Sequence, residues 1–513
     1  MTTTHLSEDP TRRDAPEPTT AGVEGHRRAA SREGATTAPA REWPRRIGLM
    51  NDYLRVPWAN GSSFASQFLY RRFRELGHEV VLMGPREGAD APDDLPPNTI
   101  TFPAAPLRAS GMANDGEGRV GLWLPFPGRK ALDATEAADL DVVIGQTSNE
   151  LVDLGVWLRW RQGVPFLIVN TLHIASAYNA LLPNFLLRNR AIHGFFRDRL
   201  IPWVERHTAK VHNESDGLVV LSEGLADYWR ARGVTVPIHV IPRSVDPEIF
   251  DAPVTPDPFP GEAKKGGRIL CVCRHAREKE VDRLIELFAR YVAPASPSAT
   301  LTLVGDGPEH EELKALAAEQ GVEDRVFFIG EVAIRKMPSW YRHADVFVYA
   351  SLSETYGQVI SEASWCGLPV VAFADGMGVS SQLAQGETGI LVDPGPDREV
   401  AHWHFAKEVV AFLRQPRRRE VFGRAASARA RERAAPERVL DRHFEVFEAA
   451  RQHCRETWGK ERHRERRARR ALLRWRLVQA LAVAAGALRP PPTVNRRGVR
   501  PPSWGRLDKS AAR

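Results

Sequence analysis

Two series of short apolar runs, alternating with stretches of helical period, constrain this chain more than any other feature. In the first series the runs are Ile47–Met50, Glu79–Met83, Asp141–Ile144, Pro165–Val169, Gly217–Leu221 and Ile238–Pro242. Between the first two, Phe64, Phe68, Leu69, Phe73 and Leu76 recur at helical spacing, opening at Gly61-Ser62-Ser63 and stopping at Gly77. Near-continuous Val/Ile/Leu strands are the mark of a parallel sheet covered on both faces, and strand–helix–strand units close right-handed. A Pro/Gly/Lys-rich stretch, 251–267, interrupts the series, and a second one follows. Its runs are Arg268–Val272, Thr300–Val304, Arg325–Phe328, Asp345–Tyr349, Pro369–Phe373 and Ile390–Val392, with helices predicted over 280–291, up to Glu319, over 358–366 and through 398–455. The fold class is therefore α/β: two tandem, doubly wound Rossmann-like domains facing a central cleft. Ligands of such sheets bind beyond the carboxyl ends of the strands at a switch point, so the cleft is the expected site.

The boundaries that follow are an arm at 1–45, a first domain at 46–250, a linker at 251–267, a second domain at 268–400, helices at 401–455 and a basic tail at 456–513. The arm is rich in Thr, Pro, Ala, Glu and Arg and is expected to stay disordered. Charge divides the same way. Residues 451–513 hold 18 Lys/Arg against 4 Asp/Glu, a formal +14, which leaves 1–450 at −7. A basic pI of 9.3 therefore says nothing of the body's ligands, and no specific nucleic-acid partner is expected. The four cysteines show no zinc spacing, and reduced thiols in a cytoplasmic protein are expected. The first residues lack the apolar core of a signal peptide, and no apolar stretch reaches the roughly 18–20 residues of a spanning helix.

The segment most suggestive of chemistry is Ser353-Glu354-Thr355-Tyr356-Gly357-Gln358-Val359-Ile360-Ser361-Glu362. Glu354 falls in the loop after a strand, and Glu362 inside the helix that follows. Two carboxylates so placed suit the vicinal hydroxyls of sugar rings, while the N–H groups of Tyr356, Gly357 and Gln358 at the helix start suit oxygens of an anion. Taken alone, the pair reads equally as solvated surface charge. Arg274 directly follows the strand 268–273, and Lys279 comes five residues later. Two cations there suit a diphosphate, although Glu278 and Glu280 flank Lys279 as they would on an ordinary surface. Gly61 at a helix start lets backbone approach a phosphate, or simply caps the helix.

With these residues in place, the chain resembles the nucleotide-sugar glycosyltransferases of the GT-B fold, family 4, of the retaining type, over about 46–400. The resemblance rests on Glu354 and Glu362 with seven residues between them, Trp365-Cys366-Gly367-Leu368-Pro369, Arg274 with Lys279, Val304-Gly305-Asp306-Gly307-Pro308 and Gly389-Ile390-Leu391-Val392. It implies that Glu362 binds ribose hydroxyls and Glu354 sugar hydroxyls. It implies that Arg274 and Lys279 neutralise the departing diphosphate, that Gly61 presents backbone to phosphate, and that His173 of Thr171-Leu172-His173 reaches the transferred sugar. Thr355, Tyr356, Gly357 and Gln358 complete the donor loop. Three departures stand out: Ala59-Asn60-Gly61 where paired glycines are frequent, Ser244 for the usual Gly, and Thr355-Tyr356 where Gly-Phe or Pro-Phe is common.

No metal-ligand cluster, and in particular no Asp-x-Asp, is read in the chain, which argues against a divalent-ion transferase; the resemblance implies a hexosyltransferase with no cofactor, its nucleotide-diphosphate sugar being a co-substrate. The acceptor is unread, a lipid or a glycan. Residues 180–206 interleave Leu, Phe, Trp and Arg, which fits either an amphipathic membrane-surface helix or a core helix with Arg outside. The tail at 456–488 fits attachment to anionic lipid at the inner membrane face, a solvated tail or RNA contact. A nucleotide-sugar epimerase of the same fold and a degenerate nucleotide-sugar-binding protein stand as alternatives.

Overall fold

A computed structural model describes residues 43–52, 54, 61–86, 95–107, 122–146, 151–171, 194–253, 256–352, 354–459 and 461–487. Residues 1–42 of the arm, His173 and 180–193 lie outside these residues. The first sheet is parallel and seven-stranded, in the order β3-β2-β1-β6-β7-β8-β9. Its strands are β1 (Arg46–Asn51), β2 (Glu79–Pro85), β3 (Thr99–Phe102), β6 (Val142–Gln146), β7 (Phe166–Val169), β8 (Gly217–Val220) and β9 (Ile238–Val240). An antiparallel pair, β4 (Ala104–Leu107) with β5 (Leu122–Pro125), stands apart. The second sheet, also parallel, has the order β12-β11-β10-β13-β14-β15. These strands are β10 (Arg268–Val272), β11 (Thr300–Val304), β12 (Val326–Gly330), β13 (Val346–Tyr349), β14 (Val370–Phe373) and β15 (Gly389–Val392). The winding direction reverses between β1 and β6 in the first sheet and between β10 and β13 in the second, so each has the expected switch point.

The strands form where the Val/Ile/Leu runs lie because both faces are covered. In β1 all residues but Arg46 are buried, and its register sets Ile47 against Val80 on one side and Val142 on the other. One face of the first sheet is covered by α1 (Gly61–Glu75), whose Phe68, Leu69 and Phe73 enter the core. The opposite face carries α2 (Arg129–Ala137), α3 (Val152–Gln162), α4 (Ile201–His212) and α5 (Glu223–Ala231), through Ala131, Trp157, Ala209 and Trp229. Residues 194–206 divide between both sequence readings: Ile201 joins the core, while Phe195 and Trp203 are exposed. The second sheet is covered by α6 (Val281–Leu287), α7 (His310–Glu319), α8 (Met337–His343), α9 (Gln358–Trp365), α10 (Gly378–Gln382) and α11 (Arg398–Arg414).

The chain then returns to the first domain. After α12 (Pro416–Ala434), α13 (Pro436–Thr457) lays Val439, Leu440, Phe444 and Phe447 on Phe68, Leu69 and Phe73 of α1. The basic tail does not simply trail into solvent. Residues Glu461–Ala487 form α14, which packs along α3. Ala468, Ala471, Trp475 and Gln479 share one face of α14 and are buried, Trp475 to 1 % exposure. Arg474 fixes the register, donating from Nε to Asp153 Oδ1 at 2.6 Å and from Nη1 to Glu214. The tail's arginines obscured this stripe in the sequence, because Arg474 is spent inside the interface rather than in solvent. The opposite face of α14 exposes Leu473, Leu477, Val478 and Leu481 beside Arg466, Arg469, Arg470 and Arg476. No helix of the described residues is long and apolar enough to cross a membrane.

Candidate functional site

Parallel strands deliver all their carboxyl ends to one edge. The loops after β10 and β13, neighbours at the switch point, therefore meet. The first carries Arg274, Glu278 and Lys279; the second carries Ser351, Glu354, Thr355, Tyr356 and Gly357. Ser351 Oγ donates to the Glu278 carbonyl at 3.0 Å and ties the two loops together.

The cations do not await a ligand with open hands. Lys279 Nζ donates to Glu354 Oε1, and Arg274 Nη2 to Glu278 Oε1. Tyr349 Oη adds a second bond to Glu354 Oε1 at 2.9 Å. Glu354 is 9 % exposed. Burial pushes its carboxyl up, but the Lys279 ammonium overrides that and holds it below the ordinary carboxylate range. Burial likewise pushes the Lys279 ammonium down, and Glu354 brings it back above its ordinary value. Both groups are thus charged near neutrality, a buried pair of the kind that is costly to break.

Glu362 is held differently. It lies in α9, 8 % exposed, with the Tyr341 hydroxyl donating to Oε2 at 2.8 Å. Burial raises its carboxyl to about 7, and the Tyr341 bond only partly offsets this. A carboxylate poised there shifts protonation with modest change in surroundings. Glu362 lines a cavity of about 110 Å³ together with Arg71, Gln146, Arg243, Gln358 and His443. That cavity belongs to both domains, and Glu354, Arg274 and Lys279 lie outside its walls.

The loop after β13 is folded by its own glycines and hydroxyls. Gly357 takes φ +78°, a left-handed conformation that starts α9. A Cβ on Gly378 would meet the Tyr356 nitrogen at 2.5 Å and the Glu354 carbonyl oxygen at 2.6 Å, so only glycine admits this turn beside the loop. The Gly378 N–H donates to the Glu354 carbonyl at 2.9 Å. Thr355 and Tyr356 both reach across to the first domain. Thr355 Oγ1 donates to the Thr171 carbonyl at 3.2 Å, and Tyr356 Oη to the Arg243 carbonyl at 3.2 Å. Gln358 Nε2 donates to the Ser244 carbonyl at 3.1 Å. Ser244, the third departure, donates from Oγ to the Ala434 carbonyl at 2.9 Å.

Gly61 begins α1 after β1, at the carboxyl edge of the first sheet. His173 lies outside the described residues, two positions beyond Thr171. Cys271 and Cys273 share a strand face, their sulfurs 3.8 Å apart, and all four cysteines are free thiols. Among the described residues no group of three His, Cys, Asp or Glu side chains converges as a metal cage. Contrary to the expectation of no Asp-x-Asp, the sequence does contain such a triplet, Asp139-Leu140-Asp141. It precedes β6 at the amino end of the strand, where Asp141 Oδ2 accepts from the Arg45 and Arg46 backbone, away from the cleft edge. Arg243 stands in the strand-to-linker turn Ile241-Pro242-Arg243-Ser244-Val245-Asp246, where no helical or strand period marks it for a role of its own.

The family model described as "Glycosyltransferase Family 4" matches residues 60–249, and "Glycosyl transferases group 1" matches 257–429. The chain is 30% identical over 369 residues to a D-inositol 3-phosphate glycosyltransferase of Kribbella flavida, covering 67% of this chain and 74% of that one. It is 27% identical over 250 residues to an alpha-monoglucosyldiacylglycerol synthase of Streptococcus pneumoniae, covering 47% of this chain and about half, 54%, of that relative. Among solved structures it resembles sucrose-phosphate synthase from Thermosynechococcus elongatus, with TM-score 0.61, 20% identity and coverage of 79% of this chain and 98% of the other.

Proposed function

The chain belongs to glycosyltransferase family 4 and has the GT-B fold, and from that premise we propose that it moves a hexosyl group from a nucleoside-diphosphate sugar to an acceptor hydroxyl, with retention and without a metal. The observation that carries the reading is the meeting of Lys279 and Glu354 across the switch point, with Glu362 behind them in α9. Glu354 accepts hydroxyls of the donor sugar, and Glu362 accepts those of the ribose. Arg274 and Lys279 stabilise the charge that grows on the leaving diphosphate. Because Lys279 already faces Glu354, it is held by a carboxylate that itself binds the sugar, so its position is set before the donor arrives. Arg274 must exchange Glu278 for a phosphoryl oxygen. Backbone N–H groups at Gly61 and at the start of α9 take further phosphoryl oxygens. His173 reaches the transferred sugar from the first domain.

The acceptor is a lipid or glycan presented at an anionic membrane surface, to which the protein attaches peripherally from the cytoplasmic side. The name of the pneumococcal relative, a diacylglycerol glycoside synthase, supports a lipid, and so does the apolar and basic outer face of α14. Incubation with a panel of nucleotide sugars, with and without lipid extract, tests the reaction. Free nucleotide released only when lipid is present is the expected result; sugar interconversion without acceptor would replace this reading by an epimerase.

A further inference from the structure

Arg243 follows β9 in the turn Pro242-Arg243-Ser244 that leads from the first domain toward the second. Its carbonyl receives the Tyr356 hydroxyl, and the next carbonyl receives Gln358. The residue is thereby fixed at the foot of the cleft, against the donor loop. Its side chain lines the inter-domain cavity that also holds Gln358 and Glu362. There the Nε atom is fully buried and has no hydrogen-bond partner.

The contrast with the neighbouring cations decides what this means. Arg274 is paired with Glu278 and Lys279 with Glu354. Arg71, the other cation of the cavity wall, holds Asp246 at 2.9 Å. His443 is buried, which keeps its ring neutral at physiological pH. Among the described residues no carboxylate lies within ion-pair distance of the Arg243 guanidinium. Burial lowers its pKa to about 10, and the Glu354 carboxylate, close enough to be felt, only partly opposes this. A half-buried guanidinium without a counter-ion costs stability. Such a cost is tolerable where a ligand supplies the missing anion, and the planar fork of Arg fits a phosphoryl group in a bidentate manner.

We propose that Arg243 is a binding residue for a phosphoryl group of a substrate, and that its ion pair is completed only when that substrate enters the cleft. The proposal deepens the transferase reading and rests on it for the identity of the substrate. The phosphoryl group has two sources, the diphosphate of the donor and a phosphate on the acceptor. Both present the same chemistry.

Three titrations by calorimetry separate the sources, each on wild type, Arg243→Met and Arg243→Lys. UDP and GDP are titrated alone, inorganic pyrophosphate is titrated alone, and inorganic phosphate is titrated into protein saturated with UDP or GDP. A charge-assisted bidentate contact contributes about 1.5–3 kcal/mol, so its loss weakens binding roughly 10- to 100-fold. If the donor's diphosphate is the source, Arg243→Met weakens nucleotide and pyrophosphate by that factor, and Arg243→Lys recovers part of it. If the acceptor is the source, nucleotide affinity is unchanged and only the phosphate arm depends on Arg243. In either case the ligand-free Arg243→Met protein melts at the same or a higher temperature, because an unpaired cation has been removed. All three arms unchanged in Arg243→Met, whatever its melting temperature, would overturn the proposal. Failure of the wild type to bind either nucleotide would instead defeat the transferase reading, while the pyrophosphate arm would still test Arg243.

Discussion

Nucleotide titration across pH tests the part assigned to Glu362. Its carboxyl sits near 7 because burial outweighs the Tyr341 hydroxyl bond. Two ribose hydroxyls that donate to it require the carboxylate, so binding must expel a proton whenever Glu362 starts protonated. Apparent dissociation constants then scale with one plus the ratio of protonated to ionised Glu362. That factor is about 11 at pH 6, about 2 at pH 7 and close to 1 at pH 8. Titration calorimetry of UDP or GDP in buffers of different ionisation enthalpy reads both quantities. About tenfold weaker binding at pH 6 than at pH 8 is expected, with about half a proton released at pH 7. Glu362→Gln should bind weakly at every pH, with no slope. Tyr341→Phe removes a donor to the carboxylate and should move the midpoint upward. The ligand-free protein carries the converse sign. A carboxyl raised in the folded state contributes stability that is complete below about pH 4.5 and is lost as pH rises through 7. The difference is about 3 kcal/mol between those limits, and Glu362→Gln should abolish it. Wild-type affinity that is flat from pH 6 to 8, or a slope that survives in Glu362→Gln, would refute the reasoning.

Lys279→Met should abolish most turnover and also destabilise the fold by about 3–5 kcal/mol, because it strands the buried Glu354 carboxylate; adding Glu354→Gln should restore the melting temperature without restoring turnover. Tyr356→Phe removes the hydroxyl that bridges to the Arg243 carbonyl and Ser361, and should cost about 0.5–1.5 kcal/mol in chemical denaturation while raising the KM for the donor. An unchanged KM would mean that the loop's position does not depend on this bridge. Replacing Leu473, Leu477 and Leu481 together by Glu should leave the melting temperature unchanged and eliminate sedimentation with anionic liposomes. Retained sedimentation would place the membrane contact elsewhere. Arg474→Ala should instead lower the melting temperature, since it leaves the buried Asp153 and the half-buried Glu214 facing each other without their cation.

The alternation of apolar runs with helical stretches made both sheets legible, because a parallel strand is buried on both faces and its side chains report that directly. The run Arg268–Val272 is the strand β10 residue for residue. Helix α3 was not legible: Val152 through Trp160 are all buried, so it has no polar face and no 3.6-residue stripe to detect. The reason lies 300 residues away, in α14, which covers its outer side. The packing of the basic tail was not legible for the reciprocal reason, since its buried stripe of Ala468, Ala471 and Trp475 is narrow and set among arginines.

The candidate site divides along the same line. The sequence alone placed Arg274, Lys279 and Glu354 just beyond strands, and in a parallel sheet that is enough to bring them to one edge. Which charge meets which was decided by sheet order. Strand β13 lies beside β10, so Glu354 faces Lys279 across 75 residues of chain. Only the packed structure turned Glu362 from an ordinary carboxylate into one that titrates near 7, and only there does Arg243 emerge as a cation without a partner. Local periodicity records how much of each element is buried. It carries no record of which neighbour does the burying, and pairing and desolvation, which set the chemistry of the cleft, depend on that neighbour.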